Sequence, residues 1–289
     1  MSSAKNNKLV VFLTIDGWGV SSFIENNAIR KAEIPGFKNL VAHYPATIIS
    51  TPLSDSDFKV SQAYRLLGLG KKNISQDVSN LSLSKIISRA NLKQLKIASS
   101  YDLPLLSVFF NNSSERFLNE DWLICDRRSS GIWSFFNKSS LLDKLIKNIK
   151  SDRYNFIFSS LSDLSREFLQ GDFSATVSAV EDTSYNLDKI ARAVLGVDGT
   201  LIVSGTYGGA EDVYNLGTGL ANKKRSTNPV PLIIIGNKYQ GRVIGSGEAP
   251  NNDLSLLSPS GTYLDVAPTI LNILNLNIPV EMEGKSLIA

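Results

Sequence analysis

The chain has 289 residues, 43% of them hydrophobic and 20% charged, the composition of an ordinary globular protein with a sizeable core. Its 30 Lys and Arg against 27 Asp and Glu leave a net charge of +3, which gives no electrostatic case for nucleic acid as a partner. The single cysteine, Cys125, excludes an internal disulfide and a thiolate metal cage.

Along the chain, the apolar, β-branched run Lys8–Ile15 predicts a buried strand ended by Asp16 and Gly17. Only a few residues precede that run, too few for a secretion signal of the usual length, so the expected location is cytoplasmic or intracellular. The sequons at Asn73, Asn80, Asn111, Asn112 and Asn137 then read as chance matches. His43, the only histidine, lies in an apolar stretch and reads as a packing residue. A short strand is expected over Ala46–Ser50 and another over Leu105–Phe110. Residues 71–92 are polar and Ser/Asn-rich with a weak helical pattern over residues 81–87, the signature of a connector. The glycines of Gly68-Leu69-Gly70-Lys71 lack phosphate-loop spacing and predict a turn.

Residues 139–150 have helical spacing, with Ser139 or Ser140 as cap. A strand follows over Tyr154–Ser160, and a long amphipathic helix over Phe173–Leu195. Strands at Gly199–Ser204 and Val230–Ile235, an irregular surface stretch over residues 236–260 and a helix over Tyr263–Leu276 complete the chain. Apolar runs no longer than a strand give no reason to expect a membrane span. The alternation of buried strands and helices predicts an α/β fold with a largely parallel sheet flanked by helices.

Several segments share one pattern. They are Asp16-Gly17-Trp18-Gly19, Asn27-Ala28-Ile29, Gln94-Leu95-Lys96-Ile97-Ala98, Gly208-Gly209-Ala210-Glu211, Thr227-Asn228-Pro229-Val230-Pro231, Asp265-Val266-Ala267-Pro268-Thr269 and Glu281-Met282-Glu283-Gly284-Lys285. In order and spacing this set resembles the cofactor-independent phosphoglycerate mutases of the alkaline phosphatase superfamily. The resemblance implies an alkaline phosphatase-like domain spanning residues 1–289. It also implies that residues 71–93 form a short connector where the family inserts a phosphotransferase domain.

The family's reaction uses two Mn or Mg ions, held by carboxylates and imidazoles, and a serine nucleophile. Position by position, the resemblance keeps Asp16 as a ligand remnant. It places Val60 at the nucleophile, or Ser61 if the alignment shifts by one residue. Ser165 and Leu169 stand where the family has an Asp and a His ligand, Thr206 and Tyr207 where it has another Asp–His pair, and Arg225 where it has a further His. Asp102 falls at the family's catalytic lysine. A neutral or cationic set of this kind predicts loss of the metal site, no cofactor and no catalytic residues. The expectation is therefore a pseudoenzyme, not an enzyme, serving as a structural or regulatory subunit with protein partners in a larger complex. Two alternatives stand beside it: a residual metal-dependent phosphohydrolase using Ser61 and Asp16, and a phosphate-ester-binding sensor with Lys223, Lys224 and Arg225 as anion contacts. Arg225 is expected either to pair with Asp16, replacing the metal charge, or to belong to a solvated loop.

Overall fold

In the computed structural model of the protein, residues 8–54, 58–72, 81–125, 140–245 and 247–288 are described. Eight strands form one sheet in the order β4-β3-β5-β1-β6-β7-β2-β8. They are β1 (Val10–Asp16), β2 (Ala46–Ser50), β3 (Gln94–Ala98), β4 (Glu120–Ile124), β5 (Phe156–Leu161), β6 (Thr200–Tyr207), β7 (Val230–Ile235) and β8 (Gly261–Thr262). β1 runs parallel to β5 and β6, and β3 runs parallel to β4 and β5. β7 is antiparallel to its neighbours β2 and β6. The predicted α/β architecture with a largely parallel sheet is what the chain adopts.

Both faces of the sheet are covered, and the period-2 alternation of a strand explains how. Along β1, Val11, Leu13 and Ile15 point into one core, while Val10 and Phe12 point into the other. The first core packs against α2 (Pro35–His43), α5 (Leu141–Ile149), α6 (Asp163–Gln170) and α7 (Phe173–Gly196). The second packs against α3 (Val60–Leu69), α4 (Leu83–Arg89) and α8 (Val266–Ile273). The four-residue α1 (Ala28–Lys31) completes the set. Ser140 caps α5 through a reciprocal bond with Asp143, as its sequence position suggested.

Three expectations need correction. Residues 105–110 are not a strand: Leu105–Phe109 is a π-helical turn, entered through Pro104 and a Ser99–Asp102 hydrogen-bonded turn. A short apolar run has no periodicity to separate strand from helix. Gly68 is not in a turn but inside α3, where a Cβ would strike the Phe110 carbonyl oxygen. Only Gly70 serves the turn, as a left-handed cap with φ 60°. His43 is exposed at the end of α2 with Nδ1 2.8 Å from the Asn39 carbonyl, so it is not a packing residue. Of the expected connector, residues 73–80 lie outside the described residues, and α4 falls where the weak helical pattern over residues 81–87 pointed to a helix.

At the sheet edge, Lys96 of β3 and Glu120 of β4 form an ion pair of 2.7 Å, each side chain at most 1% exposed. Asn111 bonds both partners, and the Lys96 ammonium lies 5.5 Å from the Phe110 ring centroid. Desolvation pulls the Lys96 pKa down to about 8, against the attraction of Glu120.

Candidate active site at the carboxyl ends of the strands

The strand ends that bear the candidate residues lie together: β1 ends at Asp16, β6 at Tyr207 and β5 at Leu161. In open α/β sheets this is the edge where ligands bind. Asp16 follows Phe12 and Thr14 in the alternation and so faces α3. Between Ile15 and Asp16 the β1–β6 register shifts, because Asp16 pairs with Tyr207 and Thr206 is left over as a bulge. The bulge aims Thr206 at the carboxylate. Thr206 Oγ1 donates to Asp16 Oδ1 at 2.5 Å, and Tyr64 of α3 donates to the same oxygen at 2.9 Å.

A ring of hydroxyls continues from there. Tyr64 Oη is 3.1 Å from Thr14 Oγ1 and 3.0 Å from Ser160 Oγ. Tyr263 Oη donates to the Thr206 carbonyl at 2.7 Å and so fixes the bulge from behind. Asp16 is only 2% exposed. Burial raises its pKa to about 7, against the lowering effect of the Thr206 and Tyr64 bonds, and the negative charge of Asp102 adds to the rise. A carboxyl poised near neutrality can accept or release a proton, which is the property required of a general acid or base.

Tyr207 is the hinge of the arrangement. Its hydroxyl lies near Ser165 and Arg225, and the Arg225 guanidinium carbon lies 5.4 Å from the Tyr207 ring centroid. Burial and the neighbouring Asp16 push the Tyr207 pKa above its usual value, so the phenol stays protonated. Arg225 therefore does not replace a metal charge by pairing directly with Asp16. Its attraction is the last of the effects on that carboxyl, and the residue sits on an exposed loop with Lys223 and Lys224. These three cations line a cleft of about 1140 Å³, together with Phe58, Glu211, Asn228 and others.

The remaining sequence candidates are distributed as follows. Ser61 is half-buried in the first turn of α3, one turn before Tyr64. Asp102 is 5% exposed and accepts from Ser99 and, at 2.7 Å, from Ser162. Ser165 joins the site through Tyr207, whereas Leu169 is half-buried on α6.

Glu211 organises the opposite wall and was not singled out as a site residue. It is 1% exposed and accepts from the Gly19 and Gly209 amides, Ser226 Oγ and, at 2.9 Å, Asn228 Nδ2. Tyr64, Thr14 and Ser160 were also missed. The available signal is that Tyr64 stands three residues after Ser61, one of the two positions at which the resemblance places the nucleophile.

Residues 8–278 match the sequence profile of the Metalloenzyme superfamily. The chain belongs to that superfamily. The 2,3-bisphosphoglycerate-independent phosphoglycerate mutase of Yersinia pestis is 27% identical over 261 residues, covering 89% of this chain and 46% of the relative. The enzyme of the same name from Desulforudis audaxviator is 32% identical over 218 residues, covering 74% of this chain and 39% of the relative. The chain thus spans less than half the length of these curated relatives. Among solved structures, phosphoglycerate mutase from Leishmania mexicana aligns with TM-score 0.59 and 21% identity, over 74% of this chain and 40% of that one. Alkaline phosphatase from the Antarctic bacterium TAB5 aligns with TM-score 0.59 and 13% identity, over 94% and 98%.

Superfamily membership corrects two expectations. Relatives named as mutases and the match to a metalloenzyme superfamily point to an enzyme family, so the reading of this chain as a non-enzyme is overturned. The reading that no metal belongs with it is overturned too, since the superfamily is one of metalloenzymes. Among the described residues, however, no group of three or more His, Cys, Asp or Glu side chains converges, and Asp16 is surrounded by hydroxyls. That donor set does not fit a pair of dications, which call for several anionic or imidazole ligands. The chemistry below is accordingly derived from the chain's own residues. No helix among the described residues is long and apolar enough to cross a membrane.

Proposed function

We propose that this chain is a phosphohydrolase acting on phosphate monoesters. The observation that carries the reading is Tyr207, which lies beside Asp16 in the sheet and holds the Arg225 guanidinium at the cleft. It links a carboxyl titrating near neutrality to a wall of three cations. In this reading Arg225, Lys223 and Lys224 take the phosphoryl oxygens, the Arg by its planar fork and the lysines as point charges.

Ser61 supplies the attacking hydroxyl. Its Oγ forms a bond to phosphorus as the bond to the alcohol oxygen breaks. The serine proton goes to Asp16, and the departing alcohol takes it up. Water then releases phosphate from Ser61, with Asp16 accepting the water's proton and returning it to Ser61 Oγ.

The test is hydrolysis of 4-nitrophenyl phosphate by the purified chain, with and without Mn²⁺. Turnover that Ser61→Ala abolishes supports the proposal. Absence of turnover under both conditions overturns it. Ester binding without turnover, seen as a rise in melting temperature, would instead leave the chain a phosphate-ester sensor.

A further inference from the structure

The cleft beside Arg225 has a second character besides its charge. Phe23 and Leu216 both line it, yet they are 68% and 54% exposed. Phe58 lines it as well, packed edge-on against Tyr207 at 5.8 Å between ring centroids. Aromatic and aliphatic side chains therefore line the same cavity as Lys223, Lys224 and Arg225.

Hydrogen bonds hold this rim in place. The Phe23 carbonyl accepts from Asn27 Nδ2 at 3.0 Å, and Asn26 Nδ2 donates to Asp212 at 2.5 Å and to the Tyr214 carbonyl at 3.0 Å. The turn that carries Leu216 is closed by Asn215, whose amide donates to the Leu220 carbonyl at 2.8 Å and whose side chain accepts from the Gly217 and Thr218 amides. The two acidic residues of the cleft are already engaged, Glu211 by four donors and Asp212 by Asn26. Lys223, Lys224 and Arg225 outnumber these two carboxylates, so the lining keeps a net positive charge.

A cavity lined by both apolar and cationic side chains fits an amphiphilic anion. A small polar phosphate ester would satisfy the cations and leave Phe23 and Leu216 in water, whereas an ester with an apolar alcohol would cover both. We infer that the cleft selects phosphate monoesters of apolar alcohols, aryl or medium-chain alkyl, with Phe23 and Leu216 as specificity residues. This rests on the phosphohydrolase reading of the same cleft.

The test compares the dissociation constants of 1-naphthyl phosphate and 3-phosphoglycerate by isothermal titration calorimetry. The aryl ester is expected to bind about tenfold more tightly, the scale on which an apolar pocket discriminates. Phe23→Ser and Leu216→Ser, both at exposed positions, are expected to bring the ratio of the two constants towards one. Equal affinities in the unmodified chain, or a ratio that survives both substitutions, would overturn the inference while leaving the cationic site standing. If neither ester binds, the phosphohydrolase reading falls and this inference falls with it.

Discussion

Tyr64 donates its hydroxyl hydrogen to Asp16 from α3, across the layer boundary between helix and sheet, at 2.9 Å. This bond and that from Thr206 favour the ionised carboxylate, while burial favours the protonated form more strongly and holds the pKa at about 7. A folded acid with a raised pKa keeps its proton where the unfolded chain has lost it. The stability contributed by Asp16 is thus fully present below about pH 4 and is lost as pH rises to about 7. The span from 3.8 to about 7 corresponds to roughly 4 kcal/mol. Asp16→Asn should remove this dependence and make the protein more stable than the parent at pH 8. Urea denaturation at pH 5 and pH 8 checks it, and an unchanged pH slope would count against a neutral buried carboxyl.

Tyr64→Phe should cost about 2 kcal/mol at pH 8, where the lost hydrogen bond served a charged acceptor. At pH 5 the carboxyl is protonated and the cost should be smaller. Chemical denaturation of parent and variant at the two pH values measures the difference.

Arg225→Ala should weaken binding of a phosphate monoester by roughly tenfold or more, and Arg225→Lys should recover only part of it. The Tyr207 hydroxyl and ring preorganise the guanidinium, and an ammonium cannot reproduce that planar contact. Lys223→Ala should cost less, because this lysine is an exposed point charge. Titration calorimetry with 4-nitrophenyl phosphate ranks the three variants.

Glu211→Ala would leave the Gly19 and Gly209 amides, Ser226 and Asn228 without their shared acceptor. A loss of about 3 kcal/mol is expected, since each orphaned buried donor carries its own desolvation cost. Gly19→Ala should act on the same wall, because a Cβ there meets the Glu211 carboxylate. Thermal denaturation of both variants should show a lowered melting temperature, with Glu211→Gln milder than Glu211→Ala.

Gly68→Ala should destabilise without touching the strand ends. Its added Cβ meets the Phe110 carbonyl oxygen, a backbone atom that cannot rotate away, so α3 and the π-helical turn must separate. A melting temperature equal to the parent's would show that the two segments yield more easily than their packing implies.

The parts of the fold that were legible in the sequence are a β-branched apolar run bounded by turn residues and a long helical period. The run Val230–Ile235 is buried throughout as β7, and the heptad-like apolar spacing after Phe173 is α7. β3 lacks a strand signature in the sequence because its polar residues Gln94 and Lys96 are buried against distant partners, Ser84 and Glu120, information no local pattern holds. The same applies to the site. Asp16, at the end of an obvious strand, was visible from sequence. Thr14, Tyr64 and Ser160 are hydroxyl residues of unremarkable type, and they become a site only when three different elements bring Thr14 and Ser160 to the Tyr64 hydroxyl that bonds Asp16.

The Lys96–Glu120 pair also bears on how the chain assembles. Lys96 lies opposite Trp122 in the β3–β4 register, so Glu120 is its diagonal neighbour on the same face. A slip of one residue during docking of β4 would send Glu120 to the opposite face and strand an unpaired ammonium in the core. The ion pair therefore fixes the register of the strand at that edge, disfavouring misaligned pairings that backbone hydrogen bonding alone would accept.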